Sequence, residues 1–201
     1  MDRLARNVST LGQSISARRS EQSFEVAKMS RISILCASFL IVVFIVCASC
    51  QSNLKPPITG YKRGYKDRVE YITARIHASD LDKGTPPSAK SRAYAKLMSG
   101  GNAADDAGHL VAQRLGGTGR ETYNIVPQNR KVNRGTWRTK VEAPIYDDVK
   151  KGNVVIYQVW PQYADSRATR PYRLTYVAKR PDGTIVLPMN SMDNPLPAPA
   201  G

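Results

Sequence analysis

The sequence predicts an α+β domain organised on an antiparallel sheet. Three observations carry this prediction. Runs rich in alternating and β-branched residues lie at 69–77, 154–160, 172–179 and 184–187. Pro181-Asp182-Gly183 is a turn of the kind that joins two adjacent strands. Between the strand runs lie two helical segments, 88–98 by its composition and 132–149 by its helix-like spacing.

Val69 to His77 alternates and reads as a strand. Ser88 to Met98 is polar with interspersed Ala, Tyr and Leu, a short helix. Leu115-Gly116-Gly117-Thr118-Gly119 is a loop; it lacks a Gly-Lys-Ser/Thr ending, so it is no phosphate loop. Trp137, Val141, Ile145 and Val149 recur every four residues within 132–149 and mark the buried face of a helix. Pro144 must kink or split it. Val154–Trp160, Tyr172–Lys179 and Thr184–Leu187 complete the sheet. Residues 51–59 read as a linker, 60–189 as the domain, and the Pro- and Ala-rich stretch from Asn190 as a disordered tail.

Ahead of the domain, Ile32 to Cys50 contains no charged side chain. At about 1.5 Å per residue it reaches roughly the thickness of a bilayer's hydrocarbon core. The preceding segment, 1–31, carries Arg3, Arg6, Arg18, Arg19, Lys28 and Arg31 against Asp2, Glu21 and Glu25. This bias predicts a cytoplasmic N-terminus and an exported domain, although Lys55, Lys62, Arg63, Lys66 and Arg68 follow the run and weaken it. A retained signal anchor is the favoured reading, because the N-terminal segment is long for a cleaved signal. Cleavage after Ala48-Ser49 and lipidation at Cys50 are the alternatives. The expected location is thus membrane-anchored with an extracytoplasmic domain, or secreted, with residues 32–50 as the membrane contact.

Cys36, Cys47 and Cys50 all lie in or beside this run, so the domain has neither a disulfide nor a thiolate metal site. Hydrophobic residues make up 41% of the chain, enough for a packed core. A net charge of +14 favours polyanionic partners, nucleic acid foremost.

The chemistry-bearing residues concentrate in one stretch. His109 follows Asp105-Asp106-Ala107-Gly108, and an imidazole is the commonest general base near neutral pH. His77, the only other histidine, ends a strand and has no supporting motif. Asn124 and Asn133 flank Pro127-Gln128. An amide oxygen is a hard neutral donor suited to Mg2+, which needs few protein ligands. Taken singly, a histidine is more often structural, and an asparagine more often caps or turns the chain. Together with Arg120, Arg130, Lys131, Arg134, Arg138 and Lys140, they supply a base, a metal donor and cations for phosphates. Those are the parts of a one-metal phosphodiester hydrolase.

Asp106-Ala107-Gly108-His109, followed by Asn124-Ile125-Val126-Pro127-Gln128, Asn133-Arg134-Gly135 and Trp137, resembles the DNA/RNA non-specific endonucleases with a ββα-metal (His-Me finger) active site. The likeness is greatest to the bacterial branch that includes DNA-entry nucleases. It is close over 105–142 and looser over 69–187. The resemblance implies that His109 activates water and that Asn133 binds Mg2+, with Mn2+ as a substitute. It also implies that Asn124 and Gln128 orient the site and the substrate, and that Glu142 holds the metal's hydration from the following helix. Asp106, Gly108 and Trp137 belong to the motif. DNA or RNA, gripped through backbone phosphates, is the expected substrate, and the product is an oligonucleotide with a 5′-phosphate.

Two departures from the motif stand out. Ala107 occupies a position where the motif carries arginine, which leaves Arg114, Arg130 and Arg134 as substitute cations. Glu142 lies nine residues after Asn133, a rotation of about 900° on an ideal α-helix, which puts the two on opposite faces. A bulge in the helix, or a non-helical start, would be needed to bring them together. The rival expectation is a non-catalytic membrane-tethered DNA receptor, which would bind DNA without nicking it.

Overall fold

In the computed structural model, the described residues are 54–101 and 104–196. They form a five-stranded antiparallel sheet, a separate two-stranded hairpin, two longer helices and several short 3-10 turns. The strands of the large sheet are β1 (Ile58–Arg63), β2 (Val69–Ile76), β5 (Val155–Gln162), β6 (Arg173–Lys179) and β7 (Ile185–Asp193), in the spatial order β1-β2-β5-β6-β7. Strict alternation of buried and part-exposed positions along β5 turns Val155, Tyr157 and Val159 to one face. Ile72, Ala74 and Ile76 of β2 and Leu174, Tyr176 and Ala178 of β6 add to the same core.

Helix α1 (Ala89–Met98) is capped by Ser88, whose hydroxyl accepts the Ser91 N–H at 3.1 Å. The second helix begins as a π-helical segment, Val132–Glu142, and continues as α2, Ala143–Lys150. The wide winding still operates at the junction, where the Ala143 N–H donates to the Arg138 carbonyl five residues back. Pro144 lies at the changeover. It splits the helix into two windings instead of ending it. Trp137, Val141, Ile145 and Val149 are fully buried in the sheet's core, and Trp137 meets the Tyr176 ring edge-on at 5.5 Å.

The hairpin pairs β3 (Asp105–His109) with β4 (Ile125–Asn129), with His109 opposite Ile125 and Asp106 opposite Gln128. Its open end is fastened by residues that follow β7. Asn194, 1% exposed, accepts the Asn129 N–H at 2.7 Å and donates to the Pro127 and Pro171 carbonyls. Arg170 grips Asp105 through two hydrogen bonds of 2.7 and 2.9 Å and also donates to the Asn194 carbonyl.

Several sequence expectations change. No helix among the described residues is long and apolar enough to cross a membrane. The N-terminal membrane or signal helix written into the fold class, the signal-anchor reading and the membrane contact have no helix there to support them and are not carried further. Residues 32–50, on which they rested, lie outside the described residues. The α+β antiparallel architecture stands without them. The tail expected to be disordered from Asn190 is partly ordered: β7 runs to Asp193, and Asn194 is buried. The linker expected over 51–59 gives up Ile58 and Thr59 to β1.

Candidate active site

His109 closes β3 and opens onto a cleft of about 490 Å3. The cleft is lined by Asp82, His109, Gln113, Arg114, Asn133, Arg138 and Glu142. Nε2 of His109 lies 3.0 Å from the Thr85 carbonyl oxygen. A carbonyl only accepts, so Nε2 carries the proton and Nδ1 is left with its lone pair. Burial lowers the His109 pKa below its ordinary value near 6.5, against a smaller opposing effect of the Thr85 hydrogen bond. The ring is thereby held neutral and oriented.

Asn133 is oriented by Asp106. Its Nδ2 donates to Asp106 Oδ2 at 3.1 Å. A carboxylate only accepts, which fixes the amide with its oxygen directed away from Asp106. Partial burial works against ionisation of Asp106, but hydrogen bonds from Arg134 and Asn133 win and hold its pKa below the usual carboxylate range. Arg134 binds this carboxylate in a fork, at 2.7 and 2.9 Å, and Arg130 approaches it at 3.4 Å.

Glu142 joins Asn133 in the same cleft through the π-winding. A helix bonded i→i+5 takes up close to one residue more per turn than an α-helix, so nine residues make about two turns. The nine-residue separation that sets the two apart on an α-helix instead stacks them on one face. Arg138, five residues after Asn133, falls on that same stripe. Burial pushes the Glu142 carboxyl up to about 7, against the opposing charges of Arg114 and Arg138.

The other sequence candidates lie elsewhere. Asn124 is fully buried; its Oδ1 accepts the Val111 N–H at 2.8 Å, and its Nδ2 donates to the Val111 and Thr118 carbonyls at 2.9 and 3.0 Å. Gln128 is also fully buried, and neither of its amide atoms has a hydrogen-bond partner among the described residues. It occupies the space a side chain on Gly108 would need, since a Cβ there would run into the Gln128 amide. Trp137 is core. Arg130 and Arg134 are engaged with Asp106 and do not line the cleft, whereas Arg114 does. His77 is exposed at the start of a turn closed by Asp80. Sequence reasoning missed Asp82, Gln113 and Arg138 as cleft residues. Arg138 stood in the basic stretch, but its position depends on a winding the residues do not announce.

The donor set fits a hard divalent cation. It consists of an amide oxygen and a part-buried carboxylate with no ion pair among the described residues. No group of three or more His, Cys, Asp or Glu suited to a metal occurs among the described residues. A cation that retains most of its water, such as Mg2+, suits so few protein oxygens.

A family model described as DNA/RNA non-specific endonuclease matches residues 52–180. Among curated proteins, the chain is 32% identical over 113 residues to a probable deoxyribonuclease RhsA of Dickeya dadantii (strain 3937). The match takes in 56% of this chain and 8% of that much longer protein. Among solved structures, the fold is similar to NucA from Streptococcus agalactiae with magnesium ion bound, at TM-score 0.54 and 18% identity over 72% of this chain and 75% of that one. It is also similar to the Sda1 nuclease with bound zinc ion, at TM-score 0.50 and 17% identity over 69% and 76% of the two chains.

Proposed function

Because the chain belongs to the DNA/RNA non-specific endonuclease family, of ββα-metal type, we propose that it is a Mg2+-dependent, sugar-non-specific phosphodiester hydrolase with His109 as its base. The observation that carries this reading is one cleft holding a neutral, oriented imidazole together with an amide oxygen and a carboxylate. Nδ1 of His109 removes a proton from water, whose oxygen attacks phosphorus. The new P–O bond replaces the bond to the 3′ oxygen, which takes up a proton from solvent water, leaving a 5′-phosphate and a 3′-hydroxyl. The Thr85 carbonyl keeps the ring in place and accepts from the imidazolium that results. Asn133 Oδ1 and Glu142 would hold the cation, with Asp106 setting the amide's orientation. When bound, a divalent ion supplies positive charge for the developing charge on the phosphoryl and leaving oxygens. Affinity rests on backbone phosphates, so cleavage is expected to show little sequence preference and to weaken with salt. The match spans 8% of the length of the curated relative, so the natural substrate is part of the proposal.

The test is nicking of supercoiled plasmid with Mg2+ and with excess chelator. Nicking that stops in chelator supports the proposal. A mobility shift without nicking in either condition identifies a DNA receptor instead.

Acidity should act on the two groups in opposite ways. In the metal-free protein the Glu142 carboxyl, pushed up to about 7, is protonated below that pH. The Mg2+ concentration for half-maximal rate is therefore expected to rise as pH falls through about 7. At saturating Mg2+ the lowered pKa of His109 keeps the base neutral below 6.5, so the acid limb of the rate should lie under the ordinary histidine value. A half-saturating Mg2+ concentration that stays constant between about pH 8 and about pH 6 would remove Glu142 from the cation site.

A further inference from the structure

The cleft contains two guanidinium groups that the proposed chemistry has not yet used. Arg114 and Arg138 both line it, beside His109, Asn133 and Glu142. Neither forms an ion pair with a carboxylate among the described residues. Arg130 and Arg134, the other two cations suggested by the sequence, already share the Asp106 carboxylate. The positive charge available to an anion in the cleft therefore belongs to Arg114 and Arg138.

Arg114 is also held in place. Its guanidinium lies 3.9 Å from the centre of the Tyr146 ring. Tyr146 in turn donates its hydroxyl hydrogen to Asp82 Oδ2 at 2.7 Å. Asp82 is fixed by its own N–H, which donates to the Arg114 carbonyl at 2.9 Å. A guanidinium stacked on a ring keeps the N–H groups along its edge available for two parallel bonds to an oxyanion. Arg138 reaches the cleft because the π-winding sets it between Asn133 and Glu142 on one stripe. The residue at 107, where the motif places an arginine, is alanine and supplies no charge.

We propose that Arg114 and Arg138 form a two-arginine clamp that grips the phosphodiester across the cleft and takes over the charge missing at Ala107. This rests on the nuclease reading given above. One guanidinium projects from the turn after β3 and the other from the helix, so the phosphate is held between the two elements that carry the base and the amide. Their positive charge also stabilises the extra negative charge that builds on the phosphoryl oxygens during attack.

The experiment compares wild type with Arg114→Ala, Arg138→Ala, the double variant, Arg114→Lys, Arg138→Lys and His109→Ala, all in the full chain. Two quantities are read: the Mg2+-dependent nicking rate, and the salt dependence of affinity for a short DNA duplex in chelator. Thermal melting confirms that each variant is folded. Each single alanine variant is expected to nick roughly 10- to 100-fold more slowly. Each should also flatten the slope of log affinity against log salt by about 0.9 for the lost phosphate contact, and the double variant by about twice that. Lysine should restore the salt slope but not the full rate, since a point charge lacks the fork. Folded alanine variants with wild-type rate and slope, alongside an inactive His109→Ala, overturn the clamp and leave the nuclease reading standing. An active His109→Ala overturns the reading on which the clamp rests.

Discussion

His109→Ala is expected to abolish plasmid nicking and to leave DNA affinity in chelator and melting temperature near their wild-type values. The expectation follows from how little else His109 does. Among the described residues its ring makes one hydrogen bond, to the Thr85 carbonyl, so losing that bond costs the fold about 1 kcal/mol. A positioned general base contributes about 10²- to 10⁴-fold to a hydrolysis rate, and that factor is what disappears. The truncated side chain leaves a space beside the cleft into which added imidazole can diffuse, so partial recovery with imidazole is expected. The measurement is the initial nicking rate at saturating Mg2+ together with a thermal melt. A folded His109→Ala protein that nicks at the wild-type rate would falsify the assignment.

Asn124→Ala should fail for a different reason. Its amide closes the loop 111–118 by bonding both backbone groups of Val111 and the Thr118 carbonyl, all inside the protein. Alanine leaves a buried N–H and two carbonyls without that partner, at about 1–3 kcal/mol for each group left unsatisfied. A loss of about 3 kcal/mol or more lowers the melting temperature of a domain of this size by roughly 10 °C. Asn124→Asp should not rescue it, because a carboxylate can accept from the Val111 N–H but faces two carbonyl oxygens it cannot donate to. The informative comparison is melting temperature against rate. An Asn124→Ala protein that melts like wild type yet binds DNA poorly would show that Asn124 touches substrate after all.

These two residues show where the sequence was readable. The motif drew attention to His109 and Asn124 alike, but a linear pattern does not separate a side chain that reacts from one that builds the loop beside it. Burial does, and burial is a property of the fold. β2, α1, β5 and β6 were legible because their alternation or spacing reflects one buried face. β3 and β4 were not: Asp-Asp-Ala-Gly-His and Ile-Val-Pro-Gln-Asn contain residues that disfavour strands, and tertiary pairing overrides that preference. β1 was lost because Gly60 interrupts it and most of its positions are exposed or half-exposed. The late residues of β7 looked like tail for the same reason; their polar side chains face outward while the backbone pairs with β6.

The loosely wound turns of the second helix carry a consequence for insertion tolerance. Between the amide and the carboxylate of this cleft, a helix can gain or lose a residue and restore the facing of both by changing its pitch. Gly135 lies within these turns, and the space beside its Cα is open. Linear distance from an asparagine is then a poor criterion for picking out a partner carboxylate. A pattern written with a fixed gap would pass over a chain such as this one.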